Sequence, residues 1–243
     1  SAASDVYKRQ VLQQQVMKQM GFGSLYDVAD VVTYKPEKSW NYEVGAHLST
    51  PSHKVQADLA LFYIDCRDQQ LTVFPEGQVT GRLMTNAGRT RSFGGEASLL
   101  ATLWRNLDLQ VAYGYTRATF VKFDTGKADY AGNFIPYAPQ HTLYAGASYT
   151  LRTGWNWLEY VIFRVAANGA GRIYWNEANT FSQPFYALLE ASIRFEHRHW
   201  AVDVWGRNLT DTRYDTFYFM SIGNSFLQRG RPRTFGVSLS ITL

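Results

Sequence analysis

The segment FEHRHWAVDVW, residues 195–205, sets His197 and His199 two positions apart, with Glu196 and Asp203 close by in the chain. Imidazole nitrogens and carboxylate oxygens are the usual ligands of transition metals, so this set invites a metal-site reading. The same letters also spell a polar turn between two β-strands, with the charges facing water. A cysteine-based zinc site is not available, because Cys66 is the only cysteine. The other histidines, His47, His53 and His141, have no recognisable nucleophile or base partner arrangement. A barrel phospholipase, the natural enzymatic rival, would need a Ser and a His acting together. No GxSxG, HExxH, P-loop or dinucleotide fingerprint occurs either. The expectation is a non-enzyme without a cofactor.

Which reading of residues 195–205 holds depends on what the chain builds. Of its 243 residues only 18% are charged, while 16% are aromatic, an unusual balance for a soluble domain. A net charge of +4 is too mild to point to nucleic acid. Mean hydropathy is −0.27, and no apolar run reaches the ~18 residues of a transmembrane helix. Neither observation excludes a membrane β-barrel, whose apolar residues occupy every second position.

That period is what the chain shows from Trp40 onward. Trp40, Tyr42, Val44, Ala46 and Leu48 alternate with Asn41, Glu43, Gly45 and His47. Similar alternation puts Val55 to Tyr63, Phe93 to Leu103, Leu109 to Tyr115, Leu143 to Leu151 and Val161 to Ala167 on one apolar face. It continues through Ala187 to Phe195, Trp200 to Val204, and Phe235 to Leu243. The result is roughly nine strands, most of them longer than the ~5–6 residues usual in globular sheets. Short connections (STPSHK, WRN, RTGWN, HRH) alternate with long ones near 74–81, 124–140, 176–184 and 220–232. Tight periplasmic turns and larger extracellular loops produce this asymmetry in an outer-membrane barrel.

The opposite face mixes Gly, Ser and Thr with Glu43, Asp58, Glu96, Asp108, Glu190, Arg194, Asp203 and Arg207. Small residues among charges suit a hydrated lumen crowded by another object. A charge at the lipid midplane would cost ~2–4 kcal/mol, which explains an apolar face without charges. Aromatic residues gather near predicted strand ends, where membrane interfaces favour amphipathic rings: Trp40, Tyr42, Trp104, Trp155, Trp157, Tyr160, Trp200, Tyr214, Phe217, Tyr218 and Phe219. Single-chain bacterial barrels normally have even strand numbers. An odd count with the last strand ending in the periplasm therefore reads as the C-terminal part of a larger barrel. Residues 1–10 are read as a non-native leader, 11–34 as an extracellular loop or short helix, and 35–243 as barrel.

The words KPEKSWNYEVGAHL, NAGRTRSFGGEASLL, GNFIPYAPQHTLYAGASY, NLTDTRYDTFYF and QRGRPRTFGVSLSITL together resemble the closing strands of TonB-dependent outer-membrane receptors, most of all the ferric-siderophore branch. The resemblance implies an all-β, transmembrane, antiparallel up-and-down barrel, of which this chain is a partial section with the plug absent. It implies ~22 strands in the whole, active uptake of a ferric siderophore, and energy delivered by the TonB complex through a region missing here. Outer-membrane lipid and lipopolysaccharide are the remaining expected partners. One departure stands at the end, where Leu243 replaces the aromatic residue that closes many outer-membrane proteins.

Candidate roles follow. Tyr130, Phe134, Tyr174, Trp175 and Phe181, in two long loops, are placed to stack on a chelate or to pack on one another. Tyr137, within the family-like IPYAP, is read as structural. Glu43, Glu96, Glu190, Arg194, Asp203 and Arg207 face the lumen and the plug, the first two either touching the plug or held by arginines such as Arg194. Trp40, Tyr42, Trp157 and Trp200 are membrane-interface aromatics. RGRPR, residues 229–233, reads as a turn into the last strand, or as a patch attracting an anionic chelate or lipopolysaccharide phosphates. NLT, residues 208–210, matches a glycosylation pattern without meaning in such a barrel. Another cargo (cobalamin, haem or a glycan) and a soluble β-sandwich binding module are the competing readings. In the barrel reading HRH is a periplasmic turn, and Asp203 lies up the next strand, away from the imidazoles.

Overall fold

A computed structural model describes residues 36–73, 83–104, 106–124, 128–221 and 224–242. The expected leader at 1–10, the segment 11–34, the connection near 74–81 and Leu243 fall outside the described residues in whole or part. Strands are β1 (Lys38–Ser49), β2 (Val55–Val73), β3 (Leu83–Trp104), β4 (Leu107–Lys122), β5 (His141–Trp155) and β6 (Leu158–Gly171). They continue as β7 (Ile173–Tyr174), β8 (Ser182–Gln183), β9 (Tyr186–His197), β10 (Trp200–Arg207), β11 (Asp215–Ser221), β12 (Asn224–Arg229) and β13 (Thr234–Ile241).

Nine of these make one antiparallel sheet in the order β1-β2-β3-β4-β5-β6-β9-β10-β13, each strand beside the next in chain order. Among the described residues β1 and β13 do not pair with one another, so the sheet is open. Register keeps the two faces separate from edge to edge. Leu61 faces Val44 and Gly95, Phe163 faces Tyr149 and Ile193, and Val204 faces Val237, all on one side. Asp58 with Ser98, Ser148 with Arg164, and Arg194 with Asp203 occupy the other.

The soluble sandwich is overturned here. A sandwich buries one face of each sheet against a second sheet. In this sheet Leu61 is 63% exposed and Val237 68% exposed, and no second layer covers them among the described residues. So much continuous apolar surface is stable only against another apolar phase, which for an outer-membrane barrel is lipid.

Two features exceed the expectation from periodicity. The β2–β3 hairpin runs well past Tyr63 and Phe93, with 19 and 22 residues in its strands. Beyond those residues polar side chains occupy both faces, so Arg67, Asp68, Gln69 and Gln70 carry no apolar alternation to detect. The long connections also hold strands of their own, because β7–β8 and β11–β12 are hairpins within them.

Candidate functional site

Three long connections, 123–140, 172–185 and 208–233, interlock at one end of the sheet. The first folds back along β4: Phe120 N donates to Asn133 O at 2.9 Å and Ile135 N to Ala118 O at 3.0 Å. Phe120 and Phe123 are buried there with Tyr130 packed against them, the Phe123 and Tyr130 rings 5.6 Å apart. Asn179, from the second connection, clamps the first through both ends of its amide. Its Oδ1 accepts from Phe134 N at 2.7 Å, and its Nδ2 donates to Phe134 O at 2.9 Å. Asn133 returns the contact by donating to Glu177 O at 2.9 Å.

Aromatic rings fill the seams between connections. Phe134 stacks on Tyr174 at 5.3 Å, under the guanidinium of Arg117 at 5.5 Å. Tyr137 lies against Trp175 and Phe217, each at 5.6 Å, and its hydroxyl donates to Tyr218 O at 3.0 Å. Phe181 stacks on Tyr218 at 4.5 Å. Of the five candidate chelate contacts, the structure brings Phe134 and Tyr174 together and joins Trp175 to Phe181 by a backbone bond of 3.0 Å. Tyr130 stands apart with Phe120 and Phe123. Trp175 is only 7% exposed, while Phe181 keeps an open face. Phe217, Tyr218 and Phe219 were expected at a membrane interface. They instead pack within the β11–β12 hairpin and its neighbours, because Tyr218 is buried beneath Phe181 and Phe219 stacks on Phe226 at 4.9 Å.

Asn208 is the connector that sequence reasoning passed over as a meaningless glycosylation match. It is 5% exposed; its Oδ1 accepts from Thr212 N at 2.8 Å, and its Nδ2 donates to Thr212 O and Arg231 O at 3.0 and 3.1 Å. One amide thereby closes its own turn and fastens it to RGRPR. The arrangement of Asn with Asp and Thr shortly after it was the available signal, since Asn side chains bind backbone a few residues on. RGRPR does lead into β13: Gly230 N donates to Tyr214 O at 2.8 Å and Arg233 N to Asp211 Oδ1 at 3.1 Å.

On the polar face, Arg194 donates to Glu196 at 2.6 Å and to Asp203 at 2.7 Å. It therefore does not hold Glu43 or Glu96, which lie on β1 and β3, and neither glutamate makes an ion pair among the described residues. Glu43 faces Phe62 across β1–β2, and Glu96 faces Ala60 and Gly114. Asn168 donates to Glu190 at 3.4 Å, and the Arg207 guanidinium lies 4.9 Å from the Trp205 ring. Asp58 accepts from Ser98 at 2.9 Å and pairs with His47 at 2.6 Å. The concavity of this face holds a groove of about 540 Å³ lined in part by Asp108, Tyr144, Arg164, Glu190 and Asp203. Trp205 lies across Gly236, and Phe62 across Gly94; a methyl group on either glycine would drive into the ring.

The two carboxylates nearest the HRH turn are thus engaged by Arg194. His197 and His199 lie tilted against one another, 5.6 Å between ring centroids, and the only residues between β9 and β10 are Arg198 and His199. Among the described residues no group of His, Cys, Asp and Glu is arranged to hold a metal ion. The outward face carries Trp40, 66% exposed, and Tyr42 near one end of β1. Trp157, stacked on Trp155 at 5.3 Å, and Trp200, beside His197 at 6.1 Å, stand at the short-turn end.

A long polar-lined sheet with short turns at one end and interlocked loops at the other is the geometry of a large barrel wall. The model of the family described as TonB dependent receptor-like, beta-barrel matches residues 14–209. The chain belongs to this TonB-dependent receptor family. It is 28% identical over 218 residues to the pesticin receptor of Yersinia pestis, covering 87% of this chain and 30% of that protein. The crystal structure of the ferric yersiniabactin uptake receptor FyuA from Yersinia pestis superposes with a TM-score of 0.71 at 25% identity, over 84% of this chain and 30% of that one. The ferric preacinetobactin receptor BauA from Acinetobacter baumannii superposes at 0.64 with 20% identity, over 85% and 30%, and shares the fold. The chain therefore spans about 30% of the length of the relatives it matches. As a TonB-dependent receptor barrel section it is an outer-membrane protein and not an enzyme.

Proposed function

We propose that this chain is the wall section of a receptor for active uptake of a ferric siderophore across the outer membrane. The carrying observation is its likeness, in sequence and in strand-by-strand fold, to the yersiniabactin receptor. Iron enters as chelated cargo, and TonB supplies energy through parts of the receptor outside this chain. In this reading the loop layer forms part of the extracellular mouth. Phe181 offers an open ring to the chelate, with Tyr130, Phe134, Tyr174 and Trp175 behind it as contacts or supports. Glu43, Glu96, Glu190, Arg194, Asp203 and Arg207 face the plug. Trp40 and Tyr42 mark the outer interface, Trp157 and Trp200 the inner one. The ten residues from Trp40 to Ser49 rise ~30 Å along the strand, or ~23 Å across a membrane at the usual tilt, which matches the ~25 Å apolar band of such barrels. Lipid covers the apolar face, and lipopolysaccharide borders it.

Growth of a receptor-deleted strain on ferric siderophore as sole iron source, with and without the gene restored, tests the reading. Growth should depend on the gene, and Phe181→Ala should lower chelate affinity several-fold. Gene-independent growth on every ferric siderophore tried, with gene-dependent use of haem or cobalamin, would transfer the receptor to another cargo.

A further inference from the structure

We propose that the polar face carries a transit site for an aryl-bearing ferric chelate, two hollows stepped along the wall with the Tyr144 ring dividing them. The inference rests on the uptake reading above and deepens it, naming where on this wall the cargo pauses and which chelate class the wall holds.

Register gives the hollows their floor. Nearer the loops, Ala60, Glu96, Gly114 and Thr142 stand opposite one another in turn on the polar face. Nearer the short turns the corresponding row is Asp108, Ser148, Arg164, Ser192 and Trp205. Glycine, alanine and serine recur at the floor positions, so the wall is indented there. The loop-side hollow holds about 380 Å³ and the other is the groove of about 540 Å³. Tyr144 lines both. Its ring lies down over Gly146, where an added methyl group would meet the hydroxyl at 2.7 Å.

The volumes fall within the ~300–1,000 Å³ of small-molecule sites. A folded body resting against the wall would meet the flat rings without filling the space between them, which favours a chelate over the plug as occupant. The larger hollow also offers groups with bonds to give. Arg164, between Ser148 and Ser192, is exposed and makes no ion pair among the described residues. Arg207 lies against the Trp205 ring alone, and the Tyr144 hydroxyl has no hydrogen-bond partner among the described residues. Guanidinium groups take carboxylate and phenolate oxygens through charge-assisted hydrogen bonds. Tyr144 and Trp205 can stack on aromatic rings. A hydroxamate without rings would use the first feature and not the second.

The charge balance sets how firmly the site holds. Asp203 is engaged by Arg194, while Asp108 and Glu190 stand against Arg164 and Arg207 in the same groove. Near-cancellation of charge makes the hold weak. A path has to bind cargo well enough to admit it and loosely enough to release it, so this wall suits passage.

The test uses the full receptor in cells, with radioiron-loaded phenolate, catecholate and hydroxamate siderophores as probes. Surface binding is measured in de-energised cells and the maximal uptake rate in energised ones. Tyr144→Ala and Arg164→Gln should each keep surface affinity and slow uptake of the two aryl chelates about tenfold, with a smaller loss for the hydroxamate. Arg164→Lys keeps the cation and should retain most of the rate, whereas Ser192→Trp fills the hollow and should stop uptake. Intact surface binding shows that each variant has folded. Ser148→Cys places a thiol on the hollow floor of a chain whose own Cys66 is buried. It should react with a small thiol reagent in energised cells, and an aryl chelate should slow that reaction. Undiminished uptake by Tyr144→Ala and Arg164→Gln, or equal loss for all three chelates, would overturn the site. Labelling of Ser148→Cys that ignores the chelate would give the hollow to the plug. A wild type that binds no ferric siderophore at its surface would remove the uptake reading itself.

Discussion

The β2–β3 hairpin and the β4–β13 loops leave the membrane by different means. The hairpin continues as plain strands, its outward side chains changing from Tyr63 and Phe93 to Arg67, Arg89 and Arg91. The later strands stop sooner, and their connections fold into a layer bound by Asn179, Asn208, Tyr137 and Phe134. The hairpin is held chiefly by its own continuous ladder, with side-chain bonds such as Asn86 to Asp68 O and Thr90 to Gln69 added along it. The loop layer lacks a continuous ladder and depends on a few amides and rings whose partners lie far along the chain. Stability at this end of the barrel is therefore spread evenly in one region and concentrated at single residues in the other.

Asn208→Ala should expose that difference most. It leaves the Thr212 and Arg231 backbone groups without their buried partner, which should cost about 3 kcal/mol. Hydrogen exchange on the receptor in detergent should then show faster exchange across 208–233 and unchanged protection in β2–β3; uniform change would erase the contrast. Asn179→Ala should act in the same sense at about 1–2 kcal/mol, freeing Phe134 from both its amide contacts. Its mark would be faster exchange at Phe134 while Tyr218 keeps its protection. Asp65→Asn sits at the small end. It weakens a part-buried pair with Arg89 that solvent still reaches from the arginine side, so the melting midpoint should fall only slightly. A clear drop would mean that the hairpin, too, hangs on individual side chains.

The same contrast explains what the sequence made legible. Val161, Phe163 and Val165 alternate with Ile162 and Arg164 because the barrel wall has one apolar and one polar face, and such strands could be read one by one. Where both sides carry polar side chains, as at Arg67 to Gln70, nothing forces alternation and the strand ends of β2 and β3 leave no pattern in the sequence. The candidate rings were found by type, yet their pairing was not. Tyr137 meets Phe217 and Tyr218 across some 80 positions of chain, and no local pattern encodes that distance. Glu196 and Asp203 looked like ligands because a sequence does not show that Arg194, two residues from one and across a strand pair from the other, takes both.

The rings laid over glycine on the polar face carry a mechanical consequence. Trp205 on Gly236 and Phe62 on Gly94 fill hollows with flat surfaces instead of raising side chains into the space beyond. A wall finished this way has low relief. It can grip a neighbouring body only where exposed charges such as Glu43 or Glu96 stand up from it, and between those points it offers little for that body to catch on as it slides.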